Sequence, residues 1–218
     1  MSTLNNAVEK FCNDNSSPIN DVLNEIYRDT WVNVLYPQML TNELQGRLLS
    51  MLSNVAKPKK ILEIGTFTAY ATVCLASGLS DDGKIFTIEK NEELEERILN
   101  NLKKANIIEK TELIIGDAKE ILFDKLSEFK NAFDIIYIDA DKENYPKYLD
   151  FAYDMLKPSG ILLADNVFWG GKVFQKEMKH TKESIGIKNF LENVPKYKWN
   201  SRTIIPIGDG LFCGIKIF

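Results

Sequence analysis

The sequence predicts an α/β fold built on a mostly parallel, doubly wound sheet. From about Lys59 onward, five short apolar runs alternate with amphipathic stretches of helical length. Such alternation is typical of βαβ units, whose right-handed crossovers cover both faces of a parallel sheet. Near the end of the chain, two β-like runs flank Gly208-Asp209-Gly210, which predicts a hairpin with at least one antiparallel strand. We therefore expect a Rossmann-like sheet of about seven strands.

The five apolar runs are the predicted parallel strands. They cover residues 60–65, 84–89, 112–116, 133–140 and 160–165. Helical periodicity predicts helices over residues 70–79, 92–105, 118–128 and 143–156, and one more around 184–193. Because Phe218 is apolar, the chain is expected to end inside the sheet.

The segment before Lys59 predicts helices rather than strands. Ser17-Pro18 indicates a helix start, and apolar residues follow it at helical spacing. A second helix is expected over residues 42–55. No linker, repeat or low-complexity tract interrupts the sequence. We expect a single domain over residues 1–218, with an N-terminal helical extension (1–58) and a Rossmann-like core (59–218).

Composition narrows the class of protein. The net charge of −4 gives no overall basic surface of the kind that nucleic acid or anionic membranes attract. Cys12, Cys74 and Cys213 are too far apart for a zinc site and odd in number, which argues against a disulfide framework. No signal peptide or apolar run of roughly 18 residues is present, so a cytoplasmic protein is expected. The single histidine, His180, lies in a Lys-rich stretch and is expected on the surface, so any metal would be held by oxygen.

Acidic residues stand at the end of every predicted parallel strand. They are Glu63, Glu89, Asp117, Asp139 and Asp165. One such acid is common, because aspartate suits turns and helix caps, but five of five indicate a site. In open α/β sheets the ligand lies beyond these strand ends. Glu89 also stands where nucleotide-binding sheets hold ribose hydroxyls.

The turn after the first strand favours a ligand without phosphate. It reads Gly65-Thr-Phe-Thr-Ala-Tyr, with one glycine instead of the GxGxxG of dinucleotide sites. The acidic strand ends also discourage phosphate. A cationic, ribose-bearing ligand such as S-adenosylmethionine fits better. Two rivals remain at this point: a dinucleotide-dependent oxidoreductase and a non-catalytic nucleotide-binding module.

The fourth and fifth strands predict a cation site. Asp139, Asp165 and Asn166 offer the hard oxygen ligands that suit Mg²⁺, Mn²⁺ or Ca²⁺. Asp139 lies inside an apolar run, where an unpaired carboxylate would be costly, so it needs a partner such as a cation. Asp141 is expected to cap the next helix, to contact the ligand, or both. Lys142 is either a solvated lysine or a general base whose ammonium form a nearby cation disfavours.

Six motifs carry a family resemblance. They are LEIGTFTAY (62–70), IEKN (88–91), GDA (116–118), DADKENY (139–145), LLADNVFWGG (162–171) and IPIGDGL (205–211). In this order and spacing, from about Thr41 onward, the chain resembles the cation-dependent O-methyltransferases of the catechol and caffeoyl-CoA type. The resemblance implies the S-adenosylmethionine-dependent methyltransferase fold, a divalent cation (Mg²⁺ first, Mn²⁺ or Ca²⁺ next) and a homodimer.

The resemblance also implies roles by position. The implied metal ligands are Asp139, Asp165 and Asn166, and the implied catalytic residues are Lys142 and Asp139. The implied cofactor contacts are Thr41, Glu63, Gly65, Thr66, Ala71, Glu89, Asp117, Ala118, Asp139 and Asp141. Lys142, Asn166 and Trp169 are the implied substrate contacts.

Two positions depart from the family pattern. The family loop usually contains TGYS, whereas here it reads Thr68-Ala69-Tyr70-Ala71. Ala71 therefore lacks a hydroxyl for the cofactor's carboxylate, a hydrogen bond typically worth about 0.5–1.5 kcal/mol. Gly170 stands where plant caffeoyl-CoA enzymes carry a substrate-contacting asparagine, so a CoA ester is not carried over as the substrate.

The expected reaction is methyl transfer from S-adenosylmethionine to a catechol-like small molecule. The metal would chelate two adjacent acceptor oxygens, and Lys142 would act as base. An alternative acceptor stays open, since some relatives methylate a hydroxylated uridine in transfer RNA. Lysines facing the metal would favour it, and the candidates are Lys172, Lys176, Lys179 and Lys182.

Overall fold

Seven strands form one mixed sheet in the order β3-β2-β1-β4-β5-β7-β6. The structure is a computed structural model that describes residues 3–124, 126, 129–175 and 181–218. The strands are β1 (Lys60–Ile64), β2 (Lys84–Glu89), β3 (Thr111–Ile115), β4 (Phe133–Ile138), β5 (Leu156–Ala164), β6 (Trp199–Ile205) and β7 (Leu211–Lys216). Strands β1 to β5 are parallel, and β7 is antiparallel to both β5 and β6. The predicted fold class is confirmed.

Helices cover both faces of the sheet. They are α1 (Thr3–Asp14), α2 (Asp21–Asn33), α3 (Glu43–Ala56), α4 (Tyr70–Ala76), α5 (Glu95–Lys104), α6 (Ala118–Asp124), α7 (Tyr145–Met155) and α8 (Lys182–Asn193). Short 3₁₀ turns include Pro37–Met39, Lys142–Asn144 and Lys172–Phe174. Across the described ranges, every helix is too short or too polar to span a membrane.

The order of the strands places a crevice at one edge of the sheet. From β1 the chain runs outward through β2 and β3, then returns to β4 on the other side of β1. The loops after β1 and β4 therefore leave in opposite directions, and a crevice opens beyond their carboxyl ends. Both strands are buried on both faces, as is expected of central parallel strands.

The N-terminal helices share a hydrophobic core with the sheet. Leu23 and Ile26 of α2 and Leu49 of α3 pack in one buried cluster with Ile61 of β1 and Tyr70 of α4. Alternate residues of the same strands point to the other face, where they pack under α6, α7 and α8. The extension is thus built into the face of the sheet on which β1 meets α4.

Some predicted boundaries are wrong. Helix α2 begins at Asp21 rather than at Ser17-Pro18, because Asn20 caps it by accepting a hydrogen bond from the Leu23 amide at 2.8 Å. The helix predicted over 143–156 is shorter, because β5 begins at Leu156, four residues early, and pairs there with Phe133. The expectation that the chain ends inside the sheet also fails.

The last ladder pair explains that failure. Trp199 opens β6 and pairs with Lys216, where β7 ends, and one further backbone bond joins Ile217 N to Lys198 O at 3.3 Å. Phe218 lies outside the sheet and is 85% exposed. The predictions for Lys176, Lys179, His180 and the end of the helix at 118–128 fall outside the described residues.

Candidate functional site

A cavity of about 750 Å³ opens beyond the carboxyl ends of β1 to β5. Residues after all five parallel strands line it, and so do the segment 38–41, Glu183 of α8 and Asp209 of the β6–β7 turn. Most of the predicted site residues meet there. They are Thr41, Gly65, Thr66, Ala71, Glu89, Asp117, Ala118, Asp139, Asp141, Lys142, Asn166 and Trp169. Glu63 and Asp165 do not line the cavity.

The turn after β1 approaches β4 very closely. Gly65 has φ +99°, and a Cβ atom at this position would lie 2.0 Å from the Asp139 carbonyl oxygen. Only glycine permits this approach. The contact brings the ends of β1 and β4 together, so that Gly65 and Asp139 line the same cavity.

Glu89 is held in place at the end of β2 by two backbone amides. Phe67 N donates to Glu89 Oε2 at 2.7 Å, and Asn91 N donates to Oε1 at 2.8 Å. The carboxylate therefore joins the turn after β1 to the turn after β2. This geometry suits a group that must present an acceptor to a ligand in the cavity.

Asp117 and Asp141 line the cavity together with Glu89 and form its acidic wall. A hydrogen bond from Lys90, at 2.9 Å, is the main cause that lowers the pKa of Asp117. Tyr148 donates to Asp141 at 2.5 Å, and the Asn144 side chain donates to it as well. Asp141 stands at the N-cap position of the Lys142–Asn144 turn, but its side chain makes no capping bond. The capping prediction is therefore wrong, because side chains occupy the carboxylate instead.

Two buried tyrosines connect the ends of β4 and β5. The Tyr137 hydroxyl lies 3.2 Å from Asp165 Oδ2 and 3.5 Å from Asp139 Oδ2, and Gln45 of α3 donates to it at 3.2 Å. The Tyr145 hydroxyl donates to the Asp165 carbonyl at 2.8 Å. Gln45 and the two tyrosines are site residues that were not predicted from the sequence. The signal that could have found them is a polar group on a buried residue, because such a group needs a hydrogen-bond partner.

The two aspartates form a charge-rich pair that fits a divalent cation. Asp165 is 3% exposed, and burial, followed by the charge of Asp139, raises its pKa to about 7. Such a pair of carboxylates is costly without positive charge. Among the described residues, no group of three or more His, Cys, Asp or Glu could hold a metal. The third hard oxygen would come from the Asn166 amide, which lines the cavity beside Asp139.

Lys142 is not a solvated lysine. Its side chain is 7% exposed, and its Nζ lies 3.0 Å from Asp139 Oδ1. It also donates to the Tyr145 hydroxyl at 2.6 Å. Because Tyr145 is tied to the end of β5, these contacts hold the amine at the boundary of the cavity.

Glu63 lies beneath the site rather than in it. The residue is fully buried, and its Oε2 accepts hydrogen bonds from Thr72 and Thr87 at 2.5 Å each. Among the described residues, its Oε1 has no hydrogen-bond partner. Burial raises the pKa of Glu63 to about 8, so the neutral acid is favoured at neutral pH.

The far end of the cavity carries Trp169 and further acids. Trp169 has φ +49°, and Lys172 Nζ lies 5.3 Å from the centre of its indole ring. The Gly170 amide donates to both oxygens of Asp209, at 2.9 and 2.8 Å. Glu143 and Glu183 line the same end. This end thus offers an aromatic wall and three carboxylates.

A seven-stranded sheet of this order, with its cavity at the strand switch point, has the architecture of the S-adenosylmethionine-dependent methyltransferases. A family model described as O-methyltransferase matches residues 13–217 of the chain. The chain is 33% identical over 189 residues to caffeoyl-CoA O-methyltransferase of Stellaria longipes, a match covering 80% of this chain and 76% of that protein.

Solved structures agree with this class. The O-methyltransferase from Bacillus cereus in complex with S-adenosylhomocysteine has a TM-score of 0.86 and 28% identity, covering 96% of this chain and 97% of that one. The O-methyltransferase TomG from Streptomyces achromogenes, in complex with S-adenosylmethionine, has a TM-score of 0.89 and 24% identity, with each chain fully covered. The latter likeness shows the fold alone.

The chain belongs to the cation-dependent O-methyltransferase family of the caffeoyl-CoA type. The resemblance carried by its six motifs is therefore confirmed. The protein is an S-adenosylmethionine-dependent O-methyltransferase.

Proposed function

We propose that this enzyme transfers a methyl group to one hydroxyl of a catechol-like, vicinal dihydroxy phenol, with a divalent cation and Lys142 at the centre of the site. The observation that carries the proposal is the cluster formed by Asp139, Asp165 and Lys142 beside the cavity. Asp139, Asp165 and Asn166 would hold the cation, Mg²⁺ first. When bound, the cation would supply Lewis-acid chemistry, which lowers the pKa of an acceptor hydroxyl and orients it.

Different residues of the chain would bind the cofactor and accept the proton. Glu89 would hold the ribose hydroxyls of S-adenosylmethionine, and the amides after β1 would face its remainder. Lys142 would act as the base that accepts the proton of the acceptor hydroxyl. The oxygen then forms a bond to the methyl carbon while the carbon–sulfur bond breaks and its electron pair goes to sulfur. The products are the methyl ether and S-adenosylhomocysteine.

The charge of the far end supports an acceptor that carries no large negative charge. Glu143, Glu183 and Asp209 line it, whereas Lys172 is stacked on Trp169. A polyanion such as a CoA ester would meet these carboxylates, which is unfavourable at short range. A flat, uncharged ring can instead pack against Trp169.

Substitution at the cluster tests the proposal. Asp139→Ala should lower kcat with a catechol acceptor at least about 100-fold through loss of the cation. Lys142→Met should lower kcat about 100-fold or more while the Kd of S-adenosylmethionine changes less than about twofold, because a base acts only in the reaction step. Methyl transfer from radiolabelled cofactor, with and without EDTA, measures both. Asp81→Ala, at an exposed position distant in the chain, is the matched control.

Two results would contradict the proposal. Full turnover by Asp139→Ala in EDTA would rule out the cation. Normal turnover by Lys142→Met would remove the base from the mechanism. A panel of catechols, flavonoids and hydroxycinnamates then identifies the acceptor.

Transfer RNA is the second candidate acceptor. Lys182 lies near the cavity, but its Nζ is 3.8 Å from Glu143, which offsets its charge. Together with the net charge of −4, this favours the small phenol. Competition by total transfer RNA in the same assay distinguishes the two, since only the RNA hypothesis predicts strong inhibition that weakens as salt rises.

We also propose a homodimer, as the family resemblance implies. Exposed apolar side chains around the end of α2 support it, because such clusters mark interaction surfaces. They are Trp31, Val32, Leu35 and Tyr36. Light scattering after gel filtration should give twice the mass of 24.9 kDa. A monomer at about 50 µM, well above the Kd of a stable dimer, would contradict the proposal.

A further inference from the structure

The turn between β1 and α4 (residues 65–69) has an inner and an outer side. Gly65, Thr66 and Phe67 line the cavity. Thr68 and Ala69 are fully buried and do not line it. The outer side is therefore packed against other parts of the protein, and these can act on the cofactor through the turn.

The backbone of this turn is strained. Phe67 has φ +52° and Ala69 has φ +66°, the left-handed region that glycine adopts freely and other residues rarely adopt. A turn with two such residues needs support from its surroundings to persist. Glycine is absent at both positions, so the support must come from contacts.

Helix α2 of the N-terminal extension supplies one of those contacts. Thr30 Oγ1 lies 2.9 Å from Thr68 Oγ1, and both residues are fully buried. Asn101 of α5 donates to the Thr68 carbonyl at 3.0 Å. The turn is therefore bound on its outer side by α2 and α5, while Glu89 binds the Phe67 amide on its inner side.

Helix α2 is itself anchored beside the turn. Asp29 forms an ion pair with Arg97 of α5, and Glu25 forms another with Lys104 at 3.2 Å. The α2 members of both pairs lie within five residues before Thr30, and the pairs tie α2 to the second helix that holds Thr68. The position of the Thr30 hydroxyl is thus fixed by elements outside the cavity.

We propose that Thr30 is a positioning residue for S-adenosylmethionine, because its hydroxyl holds the β1–α4 turn through Thr68. Helix α2, which does not line the cavity, thereby influences the affinity for the cofactor through the turn. This inference rests on the proposed placement of the cofactor against the turn and against Glu89.

Calorimetric titration with S-adenosylhomocysteine tests it. Thr30→Val keeps the shape and removes the hydroxyl, which contacts Thr68 Oγ1 at 2.9 Å and also the Ile26 carbonyl of its own helix at 2.7 Å. Loss of the bond to Thr68 should raise the Kd roughly 3- to 10-fold. Thr30→Ser keeps the hydroxyl and should remain within about twofold of the wild type. At saturating cofactor, kcat of Thr30→Val should also stay within about twofold, since the reacting groups are untouched.

A double-mutant cycle separates positioning from general destabilisation. Thr68→Val breaks the same bond from the other side, so adding it to Thr30→Val should change the Kd less than about twofold. If Thr30→Val does not fold, Thr68→Val alone tests the same hydrogen bond. Ile26→Val is the matched control, because Ile26 is buried one turn earlier in α2 and its side chain packs in the hydrophobic cluster with Tyr70.

The outcomes are distinct. Equal Kd increases in Ile26→Val and Thr30→Val, or an unchanged Kd in Thr30→Val, would overturn the role of Thr30. Glu89→Gln checks the placement of the cofactor on its own. If Glu89→Gln leaves the Kd unchanged, that placement fails and the inference fails with it. If Glu89→Gln weakens binding and Thr30→Val does not, only the role of Thr30 is rejected.

Discussion

Glu63 is a carboxyl group inside the sheet, one strand position before the end of β1. Thr72 and Thr87 donate to one of its oxygens, and the other oxygen has no partner in the part of the chain that the structure describes. A charged carboxylate in this environment is costly, whereas the neutral acid is tolerated. The side chain therefore joins β1, β2 and α4 as a protonated acid beneath the cavity.

This protonation predicts that stability depends on pH. Burial raises the pKa of Glu63 from its ordinary value of 4.5 to about 8 in the folded state. A raised folded-state pKa gives stability that is fully present below about pH 4.5 and is lost as pH rises through about 8. Relative to Glu63→Gln, the wild type should lose a few kcal/mol of unfolding free energy between about pH 5 and pH 8.

Urea unfolding at about pH 5, 6.5 and 8 measures the effect across the interval in which the carboxyl changes charge. Because Glu63→Gln resembles the neutral acid, the difference between the two proteins isolates Glu63 from other titrating groups such as Asp165. Parallel pH profiles for the two proteins would show that Glu63 is ionised or solvated in the folded state.

Among the secondary-structure elements, β1 and β4 matter most to the site, because it depends on their close approach. Ile64 O accepts a hydrogen bond from Asp139 N at 2.8 Å, directly beside Gly65. A side chain at Gly65 would collide with the Asp139 backbone. The glycine is therefore required by the meeting of two strands, and the position of Asp139 depends on it.

Gly65→Ala should separate these strand ends and disturb Asp139. Gly170→Ala is the matched control, because Gly170 also has a positive φ (+63°) but a Cβ atom added there would have no neighbour within 4 Å. The control should cost about 1–2 kcal/mol for the left-handed backbone alone. Gly65→Ala should cost at least about 2 kcal/mol more, since overpacking adds to the strain. Urea unfolding compares them, and equal losses would refute the steric argument.

For the molecule as a whole, cofactor and cation should stabilise the folded chain because they bind only that state. A ligand at about 100 times its Kd adds about 2.7 kcal/mol. For a chain of 218 residues this corresponds to a rise in Tm of about 5–10 °C. A thermal shift with MgCl₂ thus reports on the cation site without any acceptor.

Asp165→Asn should lose the Mg²⁺-dependent rise in Tm, and Asp81→Asn should keep it. The reason is that Asp165 is proposed as a ligand buried under the cavity, whereas Asp81 is exposed. The rise that S-adenosylmethionine causes in the absence of metal should survive in both variants. An Mg²⁺ response that persists in Asp165→Asn would place the cation elsewhere.

The order of the elements and the chemistry of the strand ends follow from the amino-acid sequence alone. Periodicity two and periodicity 3.6 are local properties, so alternating strands and helices could be predicted, as could the terminal hairpin. Acids at the ends of parallel strands also follow from local pattern plus the rule that ligands bind there. For this reason the sequence was enough to propose Asp139, Glu89 and Lys142 as members of one site.

How buried and how connected these groups are depends on the packing of the folded chain. Capping geometry set the start of α2, and pairing with β4 set the early start of β5, because both depend on contacts that the local pattern does not contain. Likewise, nothing in the sequence near Thr68 or Tyr137 predicts Thr30 or Gln45 as their neighbours. These contacts join residues far apart in the chain, and they exist because the N-terminal helices pack on the same face of the sheet as the turn after β1.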